Sequence, residues 1–145
     1  MEFREPLSFS RQGNGASRLR VAILALSAKS YGGDAYFRSL LPALQKHCPH
    51  TEFVVVARDN AYRELVNDAH IQVLAVGLRG LELGSVRVLW EQTLLPGVLR
   101  RLNVDVVYTA NNLAVLASPV PCVISIRNME PLVPQCPDIP LGMRL

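Results

Sequence analysis

The chain has 145 residues, 50% of them hydrophobic, which suits one globular domain and is too little for two. Its formal net charge is +3, and the arginines of the first twenty residues supply most of it, so the remainder is near neutral. The other arginines are scattered and only 6% of residues are aromatic. This pattern argues against a nucleic-acid binder, which would show a clustered basic face with interleaved aromatics.

Residues 1–18 are polar and lack a hydrophobic period, so we expect a disordered leader before a single domain over residues 19–145. Three cysteines without CxxC spacing argue against a disulfide framework or a zinc site and favour reduced thiols. No run approaches the roughly 18 apolar residues that a bilayer span needs. We therefore expect a cytoplasmic protein.

Five short, almost wholly apolar runs are typical of strands buried on both faces. In chain order they are Arg20–Leu26, Phe53–Ala57, Ile71–Val76, Val104–Tyr108 and Cys122–Ile126. Helical patterns lie between most of them, at Asp34–Lys46, Ala61–Ala69 and Ser85–Leu102. This alternation predicts an α/β fold with a doubly wound, Rossmann-like parallel sheet of about five strands.

Proline residues punctuate this pattern. Pro42 and Pro96 lie inside predicted helices, where each removes one hydrogen bond and should kink the helix or begin a fresh turn. Four prolines between positions 131 and 140 argue against further regular structure after the fifth strand. Arg79, Arg87, Arg100 and Arg101 flank the apolar third helix, which leaves open either peripheral contact with the inner face of a membrane or an ordinary solvated helix edge.

Ligands of open parallel sheets bind outside the carboxyl ends of the strands. After the first strand, Gly32 and Gly33 stand just before a predicted helix, where backbone N–H groups and the helix end can face a phosphate. The alternative is that the glycines merely permit a tight turn. A GxGxxG nicotinamide or flavin fingerprint is absent, and so are a P-loop and a GxSxG nucleophile motif.

Two later loops carry polar side chains. Asn111 and Asn112 follow the fourth strand and suit the hydroxyls of a sugar, although an Asx turn would explain them equally well. Arg127, Asn128 and Glu130 follow the fifth strand, with a surface ion pair as the alternative. Within the third helix, we interpret Trp90 as a core residue and Glu91 as a solvated charge or the partner of an arginine.

Several motifs recur in an order that resembles retaining glycosyltransferases of the GT-B type, the group-one or family-four class. They are Tyr-Gly-Gly-Asp-Ala-Tyr-Phe-Arg-Ser-Leu-Leu-Pro-Ala-Leu at 31–44, Leu-Trp-Glu-Gln-Thr-Leu-Leu-Pro at 89–96, Val-Asp-Val-Val-Tyr-Thr-Ala-Asn-Asn at 104–112 and Ile-Arg-Asn-Met-Glu-Pro at 126–131. The resemblance covers about residues 19–135. It implies the N-terminal, acceptor-side half of an enzyme that transfers a sugar from a nucleotide-sugar donor to a glycan or lipid-linked acceptor, with retention and without a metal or other cofactor.

The resemblance also implies residue roles. Gly32 and Gly33 would touch the donor diphosphate, while the residues after the fourth and fifth strands would line the acceptor side: Asn111, Asn112, Arg127, Asn128 and Glu130. Many relatives have histidine where this chain has Arg127, and no catalytic residue is assigned. The C-terminal donor domain of the family, with its paired glutamates, is missing from the sequence, so we expect no transferase activity from this chain alone.

Two other functions remain open at this point. The chain could be a non-catalytic subunit of a split glycosyltransferase that recruits a separate donor-binding chain. It could also be an unrelated small α/β module of flavodoxin-like or regulatory type, although no strand ends in the acidic cluster that a phosphorylation pocket needs. Thirteen arginines against two lysines indicate a GC-rich bacterial genome. Polysaccharide or glycolipid synthesis is what the family resemblance implies.

Overall fold

The computed structural model describes residues 18–27, 31–66, 70–77, 80, 83–110 and 113–126. Its strands are β1 (Arg20–Leu24), β2 (Glu52–Ala57), β3 (Ile71–Ala75), β4 (Val106–Thr109) and β5 (Cys122–Ile124). Its α-helices are α1 (Tyr31–His47), α2 (Gly84–Thr93) and α3 (Leu95–Leu102), and a short 3-10 helix spans Arg63–Leu65. None of the helices in these ranges is long and apolar enough to cross a membrane.

All five strands are parallel and lie in the order β3-β2-β1-β4-β5. The predicted doubly wound, Rossmann-like sheet is therefore confirmed. The order matches five strands of the 3-2-1-4-5-6 order of dinucleotide-binding sheets and differs from the 2-1-3-4-5 order of flavodoxin-like proteins, so the flavodoxin-like alternative is wrong. The chain moves outward from β1 to β3, then crosses back to β4 on the other side of β1.

Each face of the sheet has its own core. Alternate residues of the central strands, such as Ile23 and Val55, pack with Phe37 and Leu41 of α1. Their neighbours along the strands point the other way, towards α2 and α3. Because right-handed connections that run in opposite directions along a sheet lie on opposite faces, the reversal at β1 puts α1 on one face and α2 and α3 on the other. Both faces of β1 and β2 are consequently buried, which explains their unbroken apolar sequences.

Arg20 connects several elements at the amino edge of the sheet. The Arg20 guanidinium donates to Glu52 Oε2 at 2.8 Å and to the Leu102 carbonyl at 3.0 Å. The backbone N–H of Arg20 donates to Asp105 Oδ2 at 2.8 Å, and the Asp105 N–H donates back to the Arg20 carbonyl. These contacts join the start of β1 to β2, to the end of α3 and to the approach to β4.

The helices differ from the sequence prediction in three places. The predicted helix at Asp34–Lys46 begins earlier, at Tyr31. The predicted helix at Ala61–Ala69 is wrong within the described residues, where only the 3-10 turn forms, because the Asp59 carboxylate accepts from the Ala61 N–H and stabilises a turn. The predicted helix at Ser85–Leu102 is split into α2 and α3 at Leu94.

The two helix prolines behave differently. Pro96 lies in the first turn of α3, where its missing N–H costs no internal bond, so the expectation of a fresh turn is confirmed. Pro42 lies inside α1, which continues past it to His47. Strand ends also shift by one or two residues, since β1, β3 and β5 end earlier and β4 begins later than the apolar runs suggested.

A carboxylate is buried in α2. Glu91 is 2% exposed, and its Oε1 lies 3.5 Å from Arg87 Nε without forming a hydrogen bond. Burial raises the pKa of Glu91 and the charge of Arg87 partly offsets that rise. The interpretation of Glu91 as an arginine partner is confirmed, while a solvated Glu91 is wrong; Trp90 beside it is a core residue, as predicted.

We expect Glu91→Gln to raise the free energy of unfolding at neutral pH, because burial disfavours the charged carboxylate more than the nearby charge of Arg87 favours it. The folded pKa of Glu91 lies above that of the unfolded chain. Stability from this group is therefore fully present below the unfolded pKa and lost as pH rises through the folded value. The advantage of the variant should shrink as urea titrations move from about pH 8 towards about pH 4.

Glu64→Gln is the matched control, since Glu64 is exposed. It should leave the free energy of unfolding unchanged over the same titrations. A lower stability of Glu91→Gln at neutral pH would contradict the prediction and show that the Arg87 ion pair outweighs the burial of charge.

Candidate functional site

The strand order brings three of the candidate loops together. β1, β4 and β5 are neighbours, and Leu24, Thr109 and Ile124 stand level with one another in the sheet. Adjacent strands lie about 4.8 Å apart. The strands that precede the glycines, the two asparagines and Arg127 in sequence therefore end side by side at the carboxyl edge, beside the switch point where the strand order reverses, which is the usual ligand crevice of open α/β sheets.

The glycines lie in a helix and not in the loop before it. Gly32 and Gly33 belong to the first turn of α1. A Cβ added at Gly32 would meet no atom within 4 Å, and Gly32 does not have a positive φ. Neither packing nor a tight turn requires glycine at this position. Open space beside the first turn of a helix is a place where an anion can approach the positive end of the helix.

Two side chains fix the backbone of the loop after β4. The Gln92 amide donates from Nε2 to the Ala114 carbonyl at 2.8 Å and accepts at Oε1 from the Leu116 N–H at 2.9 Å. The fully buried Thr109 hydroxyl donates to the Leu113 carbonyl at 2.9 Å. Asn111 and Asn112 lie outside the described residues, but Thr109 and Leu113 bracket them in sequence. The loop is held on both sides of the two asparagines.

A hydroxyl pair links α1 to β4. The Tyr36 and Tyr108 hydroxyl oxygens are 2.6 Å apart and hydrogen-bonded to each other. Tyr36 lies early in α1 and Tyr108 lies one residue before the end of β4. The bond therefore ties the helix that contains the glycines to the strand that precedes the asparagines, close to the carboxyl edge.

A second polar cluster lies on the β2 side of α1. Asp34 accepts from Arg38 Nε at 2.6 Å and from the Tyr62 hydroxyl at 3.2 Å. The hydrogen bond from Arg38 lowers the pKa of Asp34. Burial, together with the nearby charge of Asp34, raises the pKa of Tyr62 to about 12. Tyr62 therefore stays protonated and acts as a donor that anchors the loop after β2.

None of the polar contacts made by Asp34, Tyr36 and Gln92 was predicted from the sequence. The Asp34–Arg38 pair had a readable signal, because opposite charges four residues apart on a helix are neighbours. The Tyr36–Tyr108 bond had none, since the two residues are 72 positions apart and meet only through the sheet. The Gln92 contacts were equally hidden, because Gln92 is 22 and 24 positions from its partners.

Arg127, Asn128 and Glu130 also lie outside the described residues. The described chain ends at Ile126, just after the Ser125 N–H donates to the Thr109 carbonyl at 2.8 Å. In the described part of the chain, no three His, Cys, Asp or Glu side chains are grouped closely enough to hold a metal ion. Cys48 and Cys122 have free thiols.

Comparison with known proteins finds no family model, no curated protein and no solved structure that matches this chain.

We expect Gln92→Ala to loosen the loop after β4, because two backbone groups lose their partner. Each of the two hydrogen bonds contributes roughly 0.5–1.5 kcal/mol, so the free energy of unfolding should fall by about 1–3 kcal/mol. Hydrogen exchange over residues 113–118 should accelerate more than exchange in the sheet.

Thr93→Ala is the matched control on the same helix, because the Thr93 hydroxyl donates only to the Leu89 carbonyl within α2. It should not change exchange in the loop. Equal acceleration in both variants would show that the loop responds to the helix as a whole and not to the Gln92 amide.

Proposed function

We propose that this chain is the acceptor-side half of a retaining GT-B glycosyltransferase, which transfers a sugar from a nucleotide-sugar donor to a glycan or lipid-linked acceptor. One observation carries the proposal. The strands β1, β4 and β5, which precede the glycines, the paired asparagines and the Arg127 group in sequence, are neighbours and end level with one another at the switch point of the sheet. Segments with the chemistry of sugar transfer, from distant parts of the sequence, thus follow strand ends that share one edge.

The chemistry of sugar transfer gives each loop a task. As the bond between sugar and diphosphate breaks, negative charge develops on the departing nucleoside diphosphate. The open first turn of α1 at Gly32 supports the approach of such a group, because a helix end favours anions. The stabilisation is needed when the charge develops, so preorganised backbone dipoles are effective there.

The acceptor must be held with one hydroxyl directed at the reacting carbon. Asn111 and Asn112 supply amides that both donate and accept, which matches the hydroxyls of a glycan. The Gln92 and Thr109 contacts hold the flanking backbone, and such support reduces the freedom that binding would otherwise have to remove. In this proposal the chain positions the acceptor, and a donor-binding domain supplies the nucleotide sugar.

The decisive test measures acceptor binding by this chain. We expect glycan arrays with bacterial polysaccharide fragments to identify ligands, and calorimetry to show that Asn111→Ala or Asn112→Ala weakens the best ligand about three- to tenfold, the loss of one hydrogen bond. A nucleotide sugar supplied with that ligand should not be turned over by this chain alone.

Asn60→Ala is the matched control, because Asn60 is an exposed asparagine in the loop after β2, away from the switch point. The affinity of the Asn60→Ala variant for the glycan should equal that of the unaltered chain. The proposal fails if no glycan binds at millimolar concentration, or if Asn60→Ala weakens binding as much as the changes at 111 and 112.

Gly32→Ala separates the phosphate interpretation from a structural one. Alanine favours the helix over glycine, so the variant should gain a few tenths to about 1 kcal/mol of stability. Pyrophosphate affinity, measured by calorimetry, should nevertheless fall severalfold because the added methyl group occupies the open space.

Gly97→Ala is an unusually close control for that measurement. Gly97 is exposed, lies in the first turn of α3, and would also place a Cβ where no atom lies within 4 Å. It should gain similar stability and leave pyrophosphate binding unchanged. Equal effects of both alanines on pyrophosphate would remove the phosphate role from Gly32.

A further inference from the structure

An apolar groove of about 350 Å³ lies on the α1 face of the sheet, between that helix and the β5 edge. It falls within the roughly 300–1,000 Å³ range of ligand pockets. Its walls come from the strands and from one side of α1: Val21, Ile23, Phe53, Val106, Tyr108 and Val123, with Tyr36, Leu40 and Leu44 opposite them. Val123 is 51% exposed, so the groove is open to solvent along β5.

The connections of the sheet explain why no helix of the described residues covers the groove. α1 joins β1 to β2 and lies on that side of the face, whereas α2 and α3 lie on the other face. A right-handed unit that continued the sheet outward from β5 would place its helix on the α2 and α3 face as well. Further repeats of the same architecture would therefore leave this groove open.

The groove is polar at one end only. α1 runs antiparallel to the strands, so Tyr36 lies towards the carboxyl edge and Leu44 towards the amino edge. The Tyr36–Tyr108 hydroxyl pair marks the carboxyl end. The remaining wall residues are aliphatic or phenylalanine. The hydroxyl pair is the polar part of the groove wall, so a polar head group is favoured at this end and not along the aliphatic walls.

We propose that the groove binds the apolar tail of an amphiphilic ligand, with its polar head at the carboxyl edge beside the loops after β1 and β4. The position of the head rests on the acceptor-side function proposed above, and selects lipid-linked glycans over free ones. The binding of the tail rests on the groove alone. A free glycan has no apolar part to fill the groove. A wholly apolar ligand would make no hydrogen bond with the hydroxyl pair at the carboxyl end.

The test uses alkyl β-D-glucosides of increasing chain length, kept below their critical micelle concentrations, with calorimetry on the whole chain. Each buried methylene should lower the dissociation constant by up to about fourfold, so octyl glucoside, with two more methylenes, should bind up to about fifteenfold more tightly than hexyl glucoside. Methyl glucoside should bind far more weakly than either.

Val123→Trp should fill the groove and weaken octyl glucoside at least tenfold without loss of the thermal unfolding transition, because position 123 is half exposed. Ile124→Trp is the matched control on the next residue, which is 41% exposed and points to the opposite face of β5. It should leave the affinity unchanged. Equal weakening by both tryptophans would overturn the assignment of the tail to this groove.

Other results separate this inference from the proposed function. Affinity that does not depend on chain length would overturn the groove as a tail site even if glycan arrays succeed. If Val123→Trp weakens tail binding but no glycan binds at all, the groove is supported as a tail site and the acceptor-side function is overturned. A chain that sediments as a dimer, becomes a monomer on Val123→Trp and ignores chain length would assign the groove to a second copy and overturn the proposal.

Discussion

The reversal of strand order at β1 is the constraint on which the other features of this structure depend. A right-handed chain that builds outward to β3 and then returns to the other side of β1 must place its helices on opposite faces. That single step buries β1 from both sides and opens the crevice between the carboxyl ends of β1 and β4. Among the described residues it also leaves one face of β4 and β5 without a helix, which is the origin of the apolar groove.

Polar side chains are used sparingly and at places where the sheet cannot organise the backbone by itself. Gln92 supplies a donor and an acceptor to a loop, much as a neighbouring strand would, and Thr109 does the same from within the sheet. Because unpaired backbone groups are costly when buried, such contacts stabilise a specific loop conformation. Glu91 does not follow this pattern, since its Oε1 lacks a hydrogen bond despite its burial.

The fold class could be predicted from the sequence because strands buried on both faces have continuous apolar runs. Such runs can be recognised without knowing which strands are neighbours. Pro96 also marked the break between α2 and α3, since a proline in the first turn of a helix removes no internal hydrogen bond, whereas α1 continues past Pro42. The 3-10 turn at Arg63–Leu65 was missed because the Asp59 side chain competed with the helical pattern. The burial of Glu91 was also unreadable, because a charge at that helical position is usually solvated.

The candidate site was predictable only as a set of loops. Strand order decides which loops are neighbours, and no local pattern contains it; the adjacency of the loops after β1, β4 and β5 came from the sheet. The tyrosine and Gln92 contacts join residues tens of positions apart, and only the Thr109–Leu113 bond is local. At Gly32 the sequence left two explanations open, a phosphate contact or a tight turn. The local geometry argues against the tight turn, because Gly32 does not have a positive φ.

The position of Arg20 has a consequence for the order in which the molecule assembles. Its side chain meets Glu52, only 32 residues away, but its backbone partner Asp105 is 85 residues away. A chain leaving the ribosome can therefore join β1, α1, β2 and β3 while the other side of β1 still lacks a neighbour. Contacts across long sequence separations form slowly. The nascent chain must keep this apolar strand half covered until β4 arrives, which makes the interval before residue 106 the period of greatest risk for aggregation during synthesis.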